Sequence, residues 1–248
     1  MIWNQNQLGI LVIFVVLCVM DGKITLLPTL DSSLTFYNQE IHQTYHSLNG
    51  ALQEARHVFL ENGLEYFLQT YPDAQPSILE IGFGSGLNFL VTADYGESRS
   101  IPINYTALEP YPLMKELFSE SHHNKWIHHQ KIWNHLLESF PEPFIEHSLL
   151  PISEFIKLEL VKRKIQDFDS TKQFDLVFYD AFAPGTQPEM WSPEIIQKTC
   201  LFIKPGGMFI TYSITGNLKR IFRNLNFDIE KPKGAAGKRE MFRAVKNV

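Results

Sequence analysis

The chain has 248 residues, of which 44 % are hydrophobic and 20 % charged, and a formal net charge of −5. That balance describes a globular protein able to bury a large core. The two cysteines, Cys18 and Cys200, lie far apart, which excludes a disulfide framework or a paired-cysteine redox motif and fits a reducing, cytoplasmic setting.

In chain order, the first feature is an almost unbroken apolar run at residues 8–20. It is too short to cross a membrane, which takes about 20 residues. It has the length of a signal-peptide core, but no Lys or Arg precedes it and no small-residue cleavage site follows. Two readings stand: a start upstream of the true initiator, with Met20 as first residue, or a signal or anchor. No stable membrane association is expected. Residues 1–20 are therefore set apart from an N-terminal extension over 21–75 and a main domain over 76–248.

Residues 23–30 and 34–37 read as a hairpin around Asp31-Ser32-Ser33. Leu52, Ala55, Val58 and Phe59 recur at helical spacing, and Leu64, Phe67 and Leu68 continue the pattern past Asn62-Gly63. Strands are predicted at 78–81, 103–108, 155–161 and 174–179, with a helix from Leu87. Trp191-Ser192-Pro193-Glu194 starts another helix, serine as cap and proline in the first turn. Pro205-Gly206-Gly207 is predicted to turn into a strand at 208–212. A helix at 216–225 and an antiparallel pair at 227–230 and 241–245 complete the pattern. Strands alternating with helices predict an α/β domain with a mainly parallel sheet covered on both faces.

The chemistry begins at Glu80-Ile81-Gly82-Phe83-Gly84-Ser85-Gly86-Leu87-Asn88. An apolar strand runs into three alternating glycines and then a helix. Glycines admit positive φ and close approach of a ligand to the backbone, and the helix start presents unpaired N–H groups. The dinucleotide fingerprint places its third glycine one residue later. The compact spacing, with Glu80 just before it, suits S-adenosyl-L-methionine, whose zwitterionic tail needs backbone donors and a nearby acid. Glu109 ends the next strand, placed to accept from both ribose hydroxyls. Asp175-Leu-Val-Phe-Tyr-Asp180 delivers Asp180 to a strand end, and Phe182 and Pro184 follow at an aromatic-walled corner. There Asp180 could orient or deprotonate an amine nucleophile and favour a developing cation. His122, His123, His128 and His129 invite a metal reading, but no Cys or Asp spacing supports it, and a polar helical surface is expected.

These residues resemble a known family. Residues 79–89, Ala107-Leu-Glu-Pro-Tyr-Pro112, Asp180-Ala-Phe-Ala-Pro184 with Pro188-Glu-Met-Trp191, and Gly237-Lys-Arg-Glu-Met241 are similar to the MnmC-type tRNA methyltransferases, as are Tyr45-His-Ser47, Gly50-Ala51 and Glu54. The resemblance covers about residues 30–243. It implies a Rossmann-like class I S-adenosylmethionine-dependent methyltransferase with a mainly parallel seven-stranded sheet, helices on both faces and a small N-terminal β-hairpin extension. It implies an enzyme that N-methylates the 5-aminomethyl group of wobble 5-aminomethyl-2-thiouridine in tRNA. Glu80, Gly82, Gly84, Gly86, Asn88, Glu109 and Asp180 would bind the cofactor, and Asp180 and Phe182 would stand beside the reacting groups. Larger members add an FAD-dependent oxidase domain. The chain stops at Val248, so the stand-alone methyltransferase form is expected.

One departure is local. The fold often places an acid after the third strand to bind the adenine amino group, whereas residues 160–165 are basic here and Asp167 comes late. The charge is also uneven. Residues 216–248 carry nine Lys and Arg (Lys219, Arg220, Arg223, Lys231, Lys233, Lys238, Arg239, Arg243 and Lys246) against Asp228, Glu230 and Glu240. That region is the expected contact for tRNA phosphates. Two other classes stay open: a small-molecule or polyamine-related enzyme of the same fold, and a non-catalytic RNA-binding protein on a methyltransferase fold.

Overall fold

The hairpin predicted near the N-terminus forms as β1 (Ile24–Pro28) and β2 (Leu34–Asn38), paired antiparallel with Pro28 opposite Leu34. A short β3 (Gln43–Thr44) joins β2, so the extension is a three-stranded sheet. The computed structural model describes residues 23–141, 146–235 and 237–248. The apolar run at 8–20, with both readings given to it, lies outside them.

Asp31 holds the turn and the next helix together. Its Oδ1 accepts from the Thr29 hydroxyl (2.6 Å) and the Ser33 N–H (3.0 Å), and its Oδ2 accepts from the Gln53 N–H (2.8 Å). Gly50 precedes the helix and has no side chain to cap it, so Asp31 does this from across the turn. The helix runs through Asn62-Gly63 without a break. It is α-helical at Ala51–Glu54, widens to π winding over Ala55–Glu65, and returns to α at Tyr66–Thr70. The Asn62 amide takes the His57 carbonyl at 2.7 Å. Gly63 lets the helix press on the main sheet, since a Cβ there would sit 3.0 Å from the Phe178 ring.

The apolar runs become neighbouring strands because a strand covered on both faces must be apolar on both. They are β4 (Ser77–Ile81), β5 (Ile103–Leu108), β7 (Ile156–Val161), β8 (Phe174–Tyr179) and β9 (Ile203–Thr211), with β6 (His147–Pro151), β10 (Phe227–Glu230) and β11 (Phe242–Lys246) at the sides. The order is β10-β11-β9-β8-β4-β5-β7-β6. Among the described residues the sheet therefore has eight strands, not seven. The added β6 pairs antiparallel with β7 at the edge, and its alternating exposure gave no apolar run to detect. A second correction concerns Pro205-Gly206-Gly207, which lies inside β9. Gly206 has φ +77°, and the register with β8 shifts there, so the glycines form a bulge and the strand starts at Ile203.

Two cores flank the sheet. Val58, Phe59, Leu64, Phe67, Leu90, Ile132 and Trp133 pack against the Ile78, Tyr105 and Phe178 face. Ile196 from the helix Pro193–Leu201, and Ile221 and Phe222 from the helix Gly216–Asn224, cover the Leu79, Val177 and Phe209 face. Ser192 caps the first of these helices, accepting from the Ile195 N–H as expected. The extension over 21–75 thus supplies part of the main core.

The registers place Ile81 beside both Leu108 and Tyr179, so β4, β5 and β8 end flush. Chain order reverses there, with β5 on one side of β4 and β8 on the other, and the crevice beyond such ends is where open α/β sheets bind ligands.

Phe178 is fully buried, its ring 5.2 Å from Phe59 and 6.2 Å from Tyr105. Phe178→Ala is expected to destabilise the fold by about 3–5 kcal/mol, measured by urea unfolding. A change below about 1 kcal/mol would refute its role in docking the N-terminal helix.

Candidate active site

Residues 82–86 turn at the end of β4 and lead into the helix Leu87–Arg99. Gly82 has φ +93°, and a Cβ on it would lie 2.7 Å from the Asp180 carbonyl oxygen. Gly84, at φ +51°, donates its N–H to Glu109 Oε2 at 2.9 Å, while the Tyr111 N–H donates to Glu109 Oε1 at 3.0 Å. Gly86, at φ +71°, starts the helix against the Phe118 and Phe83 rings, with no room for a Cβ.

Asn88 lies in the first turn of that helix and joins two strands. Its amide donates to Glu80 Oε1 at 2.9 Å and to Asp180 Oδ2 at 2.8 Å. Glu80 has the strand parity of Ile78, so it faces the helix side of the sheet, fully buried, with Oε2 unpartnered. Burial holds its carboxyl well above the usual range, against the pull of the Asn88 hydrogen bond. Asp180 is half-buried at the cavity. Burial, and then the Glu54 charge, push it up to about 7, with Asn88 and Lys238 opposing. Burial also raises Glu109, against the two backbone N–H bonds it accepts.

A cavity of about 1180 Å³ opens beyond these strand ends. Of the predicted site residues, Gly82, Gly84, Glu109, Asp180 and Phe182 line it. Glu80, Asn88 and Gly86 stand behind that wall and act on it through Asn88 and through packing. Phe182 meets Tyr45 edge to face, with ring centroids 5.5 Å apart, and its carbonyl accepts from the Trp191 indole at 2.7 Å. Tyr179 donates its hydroxyl to the Met190 carbonyl. The 188–191 segment therefore clamps the corner after Asp180. Tyr45 comes from the N-terminal sheet, and burial with the nearby Glu109 keeps its phenol neutral. Next to it, His46 Nε2 lies 2.9 Å from the Ser85 hydroxyl, with burial pulling its basicity down.

The sequence did not reveal Gln166. It follows β7 in the cavity wall between buried Ile165 and Phe168, its Nε2 3.6 Å from Met190 Sδ. Its Oε1 is buried without a partner. Asp167, weighed for such a role, is exposed and off the wall. A glutamine carries no spacing signature, so only its place in the fold identifies it.

The histidines do not form the polar helical surface expected of them. His123 is buried, and both His128 and His129 turn their backbone N–H groups and rings onto Asp94. Among the described residues no three His, Cys, Asp or Glu side chains cluster as a metal site. Burial pushes the Cys200 thiol up to about 12, so it is no nucleophile. Several C-terminal cations are used internally. Arg243 pairs with Glu230 and covers the Tyr66 ring at 3.3 Å, Lys246 donates to the Cys200 and Ile203 carbonyls, and Lys238 pairs with Glu54 at 2.8 Å. Arg220, Arg223, Lys233 and Arg239 remain exposed.

Comparison with known proteins places this geometry. The family described as S-adenosyl-L-methionine-dependent methyltransferase matches residues 128–247. The tRNA 5-methylaminomethyl-2-thiouridine biosynthesis bifunctional protein MnmC of Hydrogenovibrio crunogenus is 30 % identical over 79 % of this chain and 30 % of its own length. The protein of that name from Aliivibrio fischeri is 29 % identical over 85 % of this chain and 33 % of its own length. The chain thus spans about a third of the curated relatives it matches. The crystal structure of MnmC2 from Aquifex aeolicus superposes with a TM-score of 0.68 at 22 % identity, over 90 % of this chain and 70 % of that one. The fold is that of class I S-adenosylmethionine-dependent methyltransferases, with an added N-terminal antiparallel sheet. No helix among the described residues is long and apolar enough to cross a membrane.

The raised Asp180 carboxyl has a stability consequence. Its folded form keeps a proton that the unfolded chain releases near 3.8, so it lowers stability progressively as pH rises from about 4 to about 7, with no further change above. Asp180→Asn removes that cost. Its unfolding midpoint is expected to match the wild type near pH 4 and to exceed it increasingly up to pH 7.5, by urea titration at each pH. A gap independent of pH would contradict the assignment.

Proposed function

We propose that this MnmC-like chain is an S-adenosylmethionine-dependent methyltransferase that N-methylates the 5-aminomethyl group of wobble 5-aminomethyl-2-thiouridine in tRNA. The observation that carries the reading is the Asp180 carboxyl held at the cavity wall by Asn88, with the Gly84–Glu109 hydrogen bond beside it. The residues fit the cofactor. Gly82 and Gly84 line the cavity as bare backbone, Glu109 is placed for the ribose hydroxyls, and the orphaned Gln166 Oε1 suits the adenine amino group. Gln166 would thus replace the acid often found after the third strand. When bound, S-adenosylmethionine supplies a methyl group made electrophilic by its sulfonium.

The chain's own part is positioning and charge. An aminomethyl nitrogen reacts only through a free lone pair. A carboxyl ionising near 7 can orient that amine, or accept its proton, while remaining charged often enough at neutral pH to favour a cation alongside. Tyr45 and Phe182 present aromatic edges at the same corner, a surface against which a flipped or unstacked base can rest. Arg220, Arg223, Lys233 and Arg239 would supply phosphate contacts, with affinity falling as salt rises.

Nucleoside mass spectrometry tests the reading. After incubation with protein and S-adenosylmethionine, tRNA carrying 5-aminomethyl-2-thiouridine is expected to gain about 14 Da on that nucleoside. Its absence, with turnover of a small amine instead, would favour a small-molecule enzyme. Asp180→Ala is expected to cut methyl transfer about 100-fold or more while retaining part of the cofactor affinity, and normal turnover would sink its role. Gln166→Leu is expected to weaken cofactor binding roughly tenfold, seen by calorimetry. Unchanged affinity would remove Gln166 from the adenine site.

A further inference from the structure

Three distant parts of the chain meet behind Asp180. Glu54 lies in the first turn of the N-terminal helix, its side chain 7 % exposed. Its Oε2 accepts from the Ser47 N–H at 2.9 Å, and its Oε1 accepts from the Lys238 ammonium at 2.8 Å. Lys238 comes from the segment between β10 and β11 and stands 4.2 Å above the Tyr212 ring. The Tyr212 hydroxyl donates at 2.9 Å to the carbonyl of Ala181, the residue after Asp180. The segment is shaped to bring the lysine in. Lys233 bridges to Glu240, and Gly234 has no space for a Cβ, which would lie 2.7 Å from the Cβ of Lys238.

We propose that Glu54 and Lys238 are a positioning pair that governs whether Asp180 carries its charge, and so ties the methyl-transfer site to the docking of both the N-terminal helix and the C-terminal segment. Neither residue lines the cavity. Their action is through space, on a carboxyl half-buried at the cavity, with Glu54 buried and the Lys238 side chain 39 % exposed, so water screens the lysine's share the more. Among the described residues, the titratable groups set against Asp180 are Glu54 from the helix, Glu80 from β4, Lys238 from the C-terminal segment, and the phenols of Tyr105 on β5 and Tyr212 just after β9. Burial holds the Glu80 carboxyl well above its usual range and pushes both phenols up. Glu54 and Lys238 are the charges left to act, and they oppose each other. Losing Glu54 favours the ionised Asp180, and losing Lys238 favours the neutral form. An ionised Asp180 suits a cationic sulfonium or ammonium. A neutral one does not, which makes the balance between these two side chains a setting for the pH range of the site. The catalytic significance rests on the methyltransferase reading, whereas the charge coupling does not.

The test follows the Asp180 carboxyl directly, by ¹³C NMR of the ligand-free full chain labelled at aspartate, with Asp180→Asn identifying the signal. Glu54→Gln is expected to lower the titration midpoint and Lys238→Met to raise it, each by about half a pH unit or more. The double variant is expected to return near the wild-type value, a rescue that general damage to the fold would not produce. A midpoint that stays put in both single variants, or moves the same way in both, overturns the proposal. A second arm compares binding of S-adenosylmethionine with that of S-adenosylhomocysteine, which lacks the sulfonium charge. Their affinity ratio is expected to rise through the same midpoint in each variant. A ratio flat with pH would overturn the coupling to the cofactor site. Failure of the wild type to bind either nucleoside would instead count against the methyltransferase reading, with the carboxyl titration still deciding the pair.

Discussion

The approach of Gly82 to Asp180 is the constraint on which the site depends. The two backbones pass so closely that no side chain fits between them, and Gly82 adopts a φ that other residues avoid. Because β4 and β8 end level, that contact fixes the Asp180 carboxyl against the first turn of the next helix. Asn88 can then reach it and Glu80 together with one amide nitrogen. Were the turn wider, the two acids would lose their common donor, and Asp180 would open to water with an ordinary acidity. A backbone contact thus determines an electrostatic property.

Glu80 and Asp180 illustrate how environment separates like groups. Both are carboxyls bonded to the same amide, yet Glu80 is sealed in the core and pushed well above its usual range, while Asp180 meets the cavity and is pushed up to about 7. The buried one anchors Asn88, and the outer one stands at the cavity wall. Glu109 is a third case, half-buried but supplied with two backbone donors.

Much of this was legible from residue order because the features were local. Strands buried on both faces announce themselves as apolar runs, and β5 and β8 match their predicted limits. The alternate glycines, Glu109 and Asp180 sit at strand ends, which local pattern also locates. What escaped depends on partners far along the chain. β6 is an edge strand with one wet face, and the 205–207 glycines look like a turn until β8 is placed beside them. Gln166 matters because Met190 holds its amide and leaves its oxygen bare. Lys238, counted at first with a basic surface, stays partly exposed but is paired with the buried Glu54, 184 positions earlier in the sequence. His128 and His129, likewise, are held by Asp94.

The N-terminal helix has a consequence for how the chain reaches this state. One continuous core contains Val58 and Phe59 near its beginning and Met241 near its end. Strand order also inserts β9 between β8 and β11, so the late-synthesised β11 completes the flank of the sheet. A core that closes only across such sequence separation incurs its loop-closure entropy before the compensating contacts form, and it folds slowly. During synthesis the apolar face of the helix would have no complete sheet to cover it until β8, with Phe178, has left the ribosome. Over that interval this is the surface for a chaperone to shield.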